Sequence, residues 1–428
     1  MKCRKLLILL WLITIPLMAQ TYVLDTIQDD YTFVNWKANK IKMAETSPAF
    51  KKLFHKLDTI VKGGEEDLHI FHIGGSHIQA DIYSNRLRSY LNTMSPTSKG
   101  QRGFIYPFSI AKTNNPGNYK IEFDGEWKGY RCSVRKDSVA WGLSGITAVF
   151  KDSIANVKVT PNGNNYHGKM YNFNRIRVFY DNWSEDYQIA FKEDSLVTDI
   201  KENKEAHYIE FGFNKTVEEI EFCIRRVVDS VDTEFLMMGI ELMNDNKGVQ
   251  YTSIGVNGAS FAYYDRCRYF DDQLLLYTPD LFIVSVGTND AYHPDFDPEK
   301  YKEYYEELIK LVQKANPDCA VLLTVPNDSY YQKKFPNPRT RVAKKIIYEV
   351  AKKYKMAVWD FYEIMGGFNS SKDWYNNKLM PRDRIHFTVM GYRIKADLLL
   401  QALAHSWENE LQLEPNSILN QIINEQTD

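Results

Sequence analysis

Leu68-His69-Ile70-Phe71-His72-Ile73-Gly74-Gly75-Ser76 is the stretch that decides the fold. Its first six residues form a short apolar run of β type, and two glycines end it. A helix is expected to follow from about Gln79 to Met94, with Ile82, Leu87, Tyr90 and Leu91 on one face. The same texture returns after Tyr251. Leu281–Val286, Val321–Val325 and Met356–Phe361 read as buried strands, and helices are expected over Pro298–Ala315, Val342–Tyr354 and Val389–His405. Strands alternating with helices over short connections imply a parallel sheet covered on both faces.

Between these two stretches the hydrophobic period changes to two. Arg175-Ile-Arg-Val-Phe-Tyr180, Tyr208-Ile-Glu-Phe-Gly-Phe213 and Val217-Glu-Glu-Ile-Glu-Phe-Cys-Ile224 largely alternate apolar with polar residues. Turn-forming clusters such as Pro161-Asn-Gly-Asn-Asn165 separate them, the texture of an antiparallel β-sandwich. An α/β pattern that stops and picks up again implies insertion into one domain. The expected division is 1–20 as a leader, 21–111 as lead-in and first α/β part, 112–250 as the insert, and 251–428 as the second α/β part. The lead-in carries a helix near Pro48–Val61, and the polar tail after Trp407 is expected to fray.

Across 428 residues, 53 Lys+Arg face 55 Asp+Glu, a net charge of −2 that gives no basic surface for a nucleic acid. The chain opens with Lys2, Arg4 and Lys5, then Leu6–Ile13, and reaches Ala19-Gln20. This is the pattern of a cleaved secretory signal, so the protein is expected to be exported, periplasmic or extracellular, with no stable membrane span afterwards. Cys3 lies before the apolar run and signals no lipid anchor. Cys132, Cys223, Cys267 and Cys319 remain, too few for a disulfide scaffold; Cys132 and Cys223 share the middle region, where they are placed to pair, and Cys267 and Cys319 read as core. No C-x-x-C occurs, and strand alternation sends His69 and His72 to opposite faces, so no metal and no cofactor is expected.

Four short segments carry the chemistry. Ser76 sits where a strand turns into a helix, a position that suits an N-cap and also exposes a hydroxyl beside helix-start N–H groups. Gly258, in Val256-Asn-Gly-Ala-Ser260, and Asn289, in Val286-Gly-Thr-Asn-Asp290, stand in turns after strands. Asp383-Arg-Ile-His386 precedes the last helix, and a carboxylate and an imidazole three residues apart can meet in a turn.

These four elements, in this order, resemble the SGNH/GDSL hydrolase superfamily, whose markers are Ser, Gly, Asn and His. The resemblance implies a flavodoxin-like three-layer α/β hydrolase domain with about five parallel strands. It implies Ser76 as nucleophile, His386 as general base and then acid, and Asp383 as the group orienting the imidazole. The oxyanion hole would be the Ser76 and Gly258 N–H groups with the Asn289 amide. One departure is that Gly75 stands where the family usually has Asp, a residue that helps hold the nucleophile loop. With Gly258 standing 182 positions after Ser76, the layout is similar to bacterial peptidoglycan O-acetylesterases, whose insert resembles a carbohydrate-binding module.

The function so implied is an exported serine esterase that removes acetyl or short acyl groups from a glycan. An O-acyltransferase with the same triad, or a non-catalytic glycan-binding protein on a hydrolase scaffold, uses the same residues. Trp127, Trp141 and Trp183 of the insert suit core packing better than stacking on sugar rings. Arg102 and Asn114-Asn115, on the way into the insert, suit either a polar substrate or a plain linker.

Overall fold

The computed structural model describes residue 28 and residues 30–43, 47–162, 171–181, 186–229 and 232–424. The leader at 1–20, Cys3, Trp183 and Gly163–Asn165 of the turn cluster lie outside the described residues.

The parallel sheet is built from β1 (Ile41–Lys42), β2 (Asp67–Gly74), β3 (Gly248–Gly255), β4 (Leu281–Ser285), β5 (Ala320–Thr324) and β6 (Ala357–Trp359). Their order is β1-β6-β5-β4-β2-β3, with β1 antiparallel to β6 and the other five mutually parallel. Strand alternation divides the core. Leu68, Ile70, Leu281 and Ile283 pack on one face, and Phe71, Ile73, Phe282 and Val284 on the other.

Helices α1 (Pro48–Val61), α2 (Ser76–Gln79), α3 (Tyr83–Asn92), α4 (Pro298–Ala315), α5 (Thr340–Tyr354), α6 (Val389–Leu411) and α7 (Ser417–Asn424) are the ones that matter here. Apolar residues of α1, α3 and α6 cover the first face, with α7 packed on α6 and α3; Tyr301, Tyr305, Leu308, Ala343, Ile347 and Val350 of α4 and α5 cover the second. The architecture is the expected three-layer α/β domain.

The insert forms two antiparallel sheets. Gly103–Ile105, upstream of Lys112, already pairs with Phe235–Met243 in the seven-stranded sheet. The four-stranded sheet has the order Lys120–Phe123, Ile154–Thr160, Ile220–Arg226, Tyr187–Phe191. The period-two reading is visible in its burial, with Ala155, Val157, Val159, Ile220, Phe222 and Ile224 turned inward. Trp127 and Trp141 are 2% and 3% exposed, so both belong to this core and neither offers a face to a sugar. The sandwich core runs without a break into the second face of the parallel sheet.

Three expectations need correction. The helix read over Gln79–Met94 is two helices, because Asp81 adopts φ 45° and breaks the chain between α2 and α3. The tail does not simply fray: α7 buries Ile418, Leu419 and Ile422, an amphipathic pattern in a segment otherwise polar enough to hide it. Cys132 and Cys223 are both free, Cys223 lying on Ile220–Arg226. Cys132 instead neighbours Cys267, whose thiol is pushed well up by its hydrogen bond with Cys132 and by burial. None of the described helices is long and apolar enough to cross a membrane.

Candidate active site

The centre of the sheet places the site. The chain leaves β2, returns after the insert as the edge strand β3, and then crosses to β4 on the other side of β2. Such a reversal of strand order opens a crevice at the carboxyl ends. The register aligns those ends, since Gly74 pairs with Gly255 on one side and with Ser285 on the other. The turns that follow hold Ser76, Gly258 and Asn289. Three residues distant in sequence therefore emerge side by side because their strands are in step.

Ser76 is the first residue of α2. Gly74 is required before it, since a Cβ there would sit 2.4 Å from Ile78 Cγ1 and 3.0 Å from the Ser285 carbonyl oxygen. Tyr264 adds a hydroxyl that donates to the Gly74 carbonyl at 2.7 Å. Gly75, where the family usually has Asp, faces the neighbouring turns: a Cβ there would lie 3.1 Å from Asn289 Nδ2 and 3.5 Å from the Ala259 carbonyl oxygen. Its neighbours show what holds the loop instead. Gln79 Oε1 accepts from the Asn257 N–H at 2.6 Å, and Gln79 Nε2 donates to Thr113 Oγ1 and to the Asn114 carbonyl, both at 3.3 Å. One buried amide thus joins the nucleophile helix, the Gly258 turn and the segment entering the insert.

Ser76 Oγ lies 2.8 Å from His386 Nε2, and His386 Nδ1 lies 2.8 Å from Asp383 Oδ2. The turn that delivers them is closed by Asp383 Oδ1, which accepts the N–H groups of Ile385 and His386 at 2.9 and 3.1 Å. Arg384, at φ 52°, is pinned on the ring of Tyr330 and donates to the Lys333 carbonyl. Partial burial alone would raise the Asp383 pKa. The hydrogen bonds from His386 and from the Ile385 and His386 N–H groups outweigh it and hold the carboxyl below its usual range. An ionised carboxylate only accepts, so Nδ1 carries the ring proton and Nε2 presents its lone pair to the Ser76 hydroxyl.

Gly258 has φ 81°, a left-handed turn that favours glycine. The N–H groups of Ser76 and Gly258 find no acceptor among the described residues. Asn289 Nδ2 donates to the Ala259 carbonyl at 2.8 Å, which orients the amide and leaves its second hydrogen. All three line one cleft of about 1050 Å³ with His386. Donors with a hydrogen to spare are what a developing oxyanion requires.

Asn114 and Asn115 line this cleft as well. Arg102 does not act as a surface contact: it is 2% exposed and points its Nη2 at Asp81 Oδ2, 3.3 Å away. Asp81 also binds Arg88 through two oxygens at 3.0 and 3.1 Å, Ser84, Ser253 and Asn118. Burial opposes its charge, but Arg88 and Arg102 hold it at about 2. This cluster was not foreseen, and neither was Gln79; the available signal was their place three and five residues after Ser76. His77 packs against His386 at 5.3 Å between ring centroids, and burial keeps it neutral by pushing its pKa well down. His69 and His72 are held as neutral rings by burial, each lowered to about 3, with Thr252, Tyr251 and Ser285 as partners.

Residues 239–394 match the model of the GDSL-like Lipase/Acylhydrolase family. That stretch contains Gly258, Asn289, Asp383 and His386, and Ser76 lies upstream of it, beyond the insert. A search of curated proteins finds no match. Among solved structures, a peptidoglycan O-acetylesterase is 19% identical, with a TM-score of 0.65 over 86% of this chain and 99% of that one. An acetyl xylan esterase is 23% identical over 36% of this chain and 81% of its own, TM-score 0.30. A lipase/acylhydrolase from Enterococcus faecalis is 20% identical over 40% and 80%, TM-score 0.31. The SGNH/GDSL resemblance read from four short motifs thus holds in the family match and in the fold of both halves.

Proposed function

We propose that this chain is an exported serine esterase of SGNH type that removes acetyl or other short acyl groups from a glycan. The observation that carries the reading is the continuous relay from Ser76 Oγ through His386 to Asp383, with both links at 2.8 Å. A fold shared with a peptidoglycan O-acetylesterase over 86% of this chain supports a carbohydrate ester as substrate.

His386 Nε2 takes the Ser76 proton as Oγ attacks the ester carbonyl. The carbonyl π-electrons move onto oxygen, where the Ser76 and Gly258 N–H groups and the Asn289 amide receive them. Collapse breaks the bond to the sugar oxygen, which leaves with the proton from His386 and yields acyl-Ser76. Water then loses a proton to His386 and attacks the acyl carbon, and Ser76 departs with that proton as the free acid forms. Asp383 stabilises the imidazolium in both halves without becoming protonated.

Purified protein should hydrolyse a chromogenic acetate ester, and Ser76→Ala should lower kcat by more than about a thousandfold. Retained turnover in that variant overturns the assignment. With an acetylated donor and a glycan acceptor, free acetate is the expected product, and acylated acceptor would identify a transferase instead.

A further inference from the structure

The cleft does not end at the triad. It runs along α3 and α6, lined there by Asn85, Arg86, Ser89, Tyr392 and Arg393. We propose that Arg393 forms an anion subsite that binds the carboxylate of an acidic sugar unit, so that the glycan deacylated is a polyanion. The proposal rests on the esterase reading and names its substrate class.

Arg393 is partly exposed and makes no hydrogen bond or ion pair among the described residues. The nearby carboxylate is already engaged. Asp397, one turn further along α6, is taken by Arg86 through Nε at 2.5 Å and Nη2 at 2.9 Å, and by the Tyr90 hydroxyl at 3.1 Å. Two guanidiniums therefore share one carboxylate. Asp81, on the cleft wall, is likewise shared between Arg88 and Arg102. With no further Asp or Glu on the walls among the described residues, the cleft carries excess positive charge, which attracts anions.

A free guanidinium presents a planar fork matched to a carboxylate. Arg393 stands on α6 one helical turn, about 6 Å, beyond Val389, His386 stands just before that helix, and both line the same cleft as Ser76. The same cleft also presents amides that suit hydroxyls. Asn114, Asn115 and Asn118 line it, and Asn118 Oδ1, on a residue 7% exposed, lacks a partner. Amides that suit hydroxyls and a guanidinium with no hydrogen-bonded partner of its own, in one cleft, describe an acidic carbohydrate better than a neutral one or a lipid. The carboxylate has two chemical sources, a uronate ring or an acid joined to the sugar through an ether.

The test compares kcat/KM on an O-acetylated oligogalacturonate, an O-acetylated muramic-acid oligomer with free carboxyls, and a neutral O-acetylated xylo-oligomer. One acidic substrate should exceed the neutral one by about tenfold or more, the worth of a charge-assisted pair, and added salt should erode the margin. Arg393→Gln should collapse the acidic-to-neutral ratio through KM, and Arg393→Lys should restore part of it. A second arm uses Ser76→Ala and calorimetry with unacetylated oligogalacturonate and muramic-acid oligomers: binding of one of them is expected, with loss in Ser76→Ala/Arg393→Gln. Equal kcat/KM for acidic and neutral substrates, or a ratio unmoved by Arg393→Gln, overturns the subsite. Without turnover of any acetate the esterase reading falls, while the calorimetric arm still decides for or against Arg393.

Discussion

The carboxyl rim of the parallel sheet and the β-sandwich inserted into it use their residues in opposite ways. At the rim, three adjacent strands end in step, and their turns lift polar groups out of the core into a common cleft. In the sandwich, Trp127, Trp141 and the alternating apolar residues turn inward between two sheets. The sandwich still reaches the site, through the Asn114–Asn118 segment at its entrance and through Ser133, whose hydroxyl donates to the Asn257 carbonyl at 2.8 Å. An inserted domain can thus serve a catalytic centre by completing its walls.

That contrast can be broken by experiment, beginning with its largest consequence. Trp127 packs on Phe150 at 4.9 Å and donates its indole N–H to the Asp124 carbonyl. Trp127→Ala should cost about 3–5 kcal/mol in urea unfolding, with glycan affinity per folded molecule unchanged. A selective loss of glycan binding at full stability would make the sandwich a sugar platform after all. At the rim the reverse is expected: Asn289→Ala should lower kcat about a hundred- to a thousandfold, read by ester hydrolysis at saturating substrate. A merely structural amide would instead lower the melting temperature and spare kcat.

The smallest effect concerns Asp290, beside Asn289. Burial is the main cause that raises its carboxyl to about 7, against the bond it accepts from the Phe261 N–H, and its Oδ2 is buried without a partner. A carboxyl raised by folding stabilises the protein while protonated, and the contribution fades as pH rises through the folded value. Between pH 6 and 8 the parent should lose about 1.4 kcal/mol that Asp290→Asn does not lose, measured by denaturation at each pH. Parallel pH profiles for the two proteins would place the carboxylate in contact with water.

Legibility followed the range of the forces. The strand over 68–73 and the two textures of α/β and sandwich appear in sequence because burial imposes periods of 3.6 and 2 on any chain. The Asp383–His386 turn is local enough to be read directly. The break at Asp81 was invisible, because a residue with φ 45° is held there by partners at Ser84, Arg88, Arg102, Asn118 and Ser253, the last three contributed by other segments. The helix at 417–424 was missed for a related reason, since only docking against α6 and α3 shows that Ile418 and Ile422 have somewhere to go.

Sequence by itself determined which residues could do chemistry and on what kind of element each would stand, since nucleophile turn, glycine turn, amide and Asp–His pair are all short-range patterns. Tertiary structure alone decided that they meet. Strand order put β3 and β4 on either side of β2, and register put Gly255 and Ser285 level with Gly74. Those are pairings between segments far apart in the chain, fixed by backbone hydrogen bonds and shared burial that no single window of residues contains.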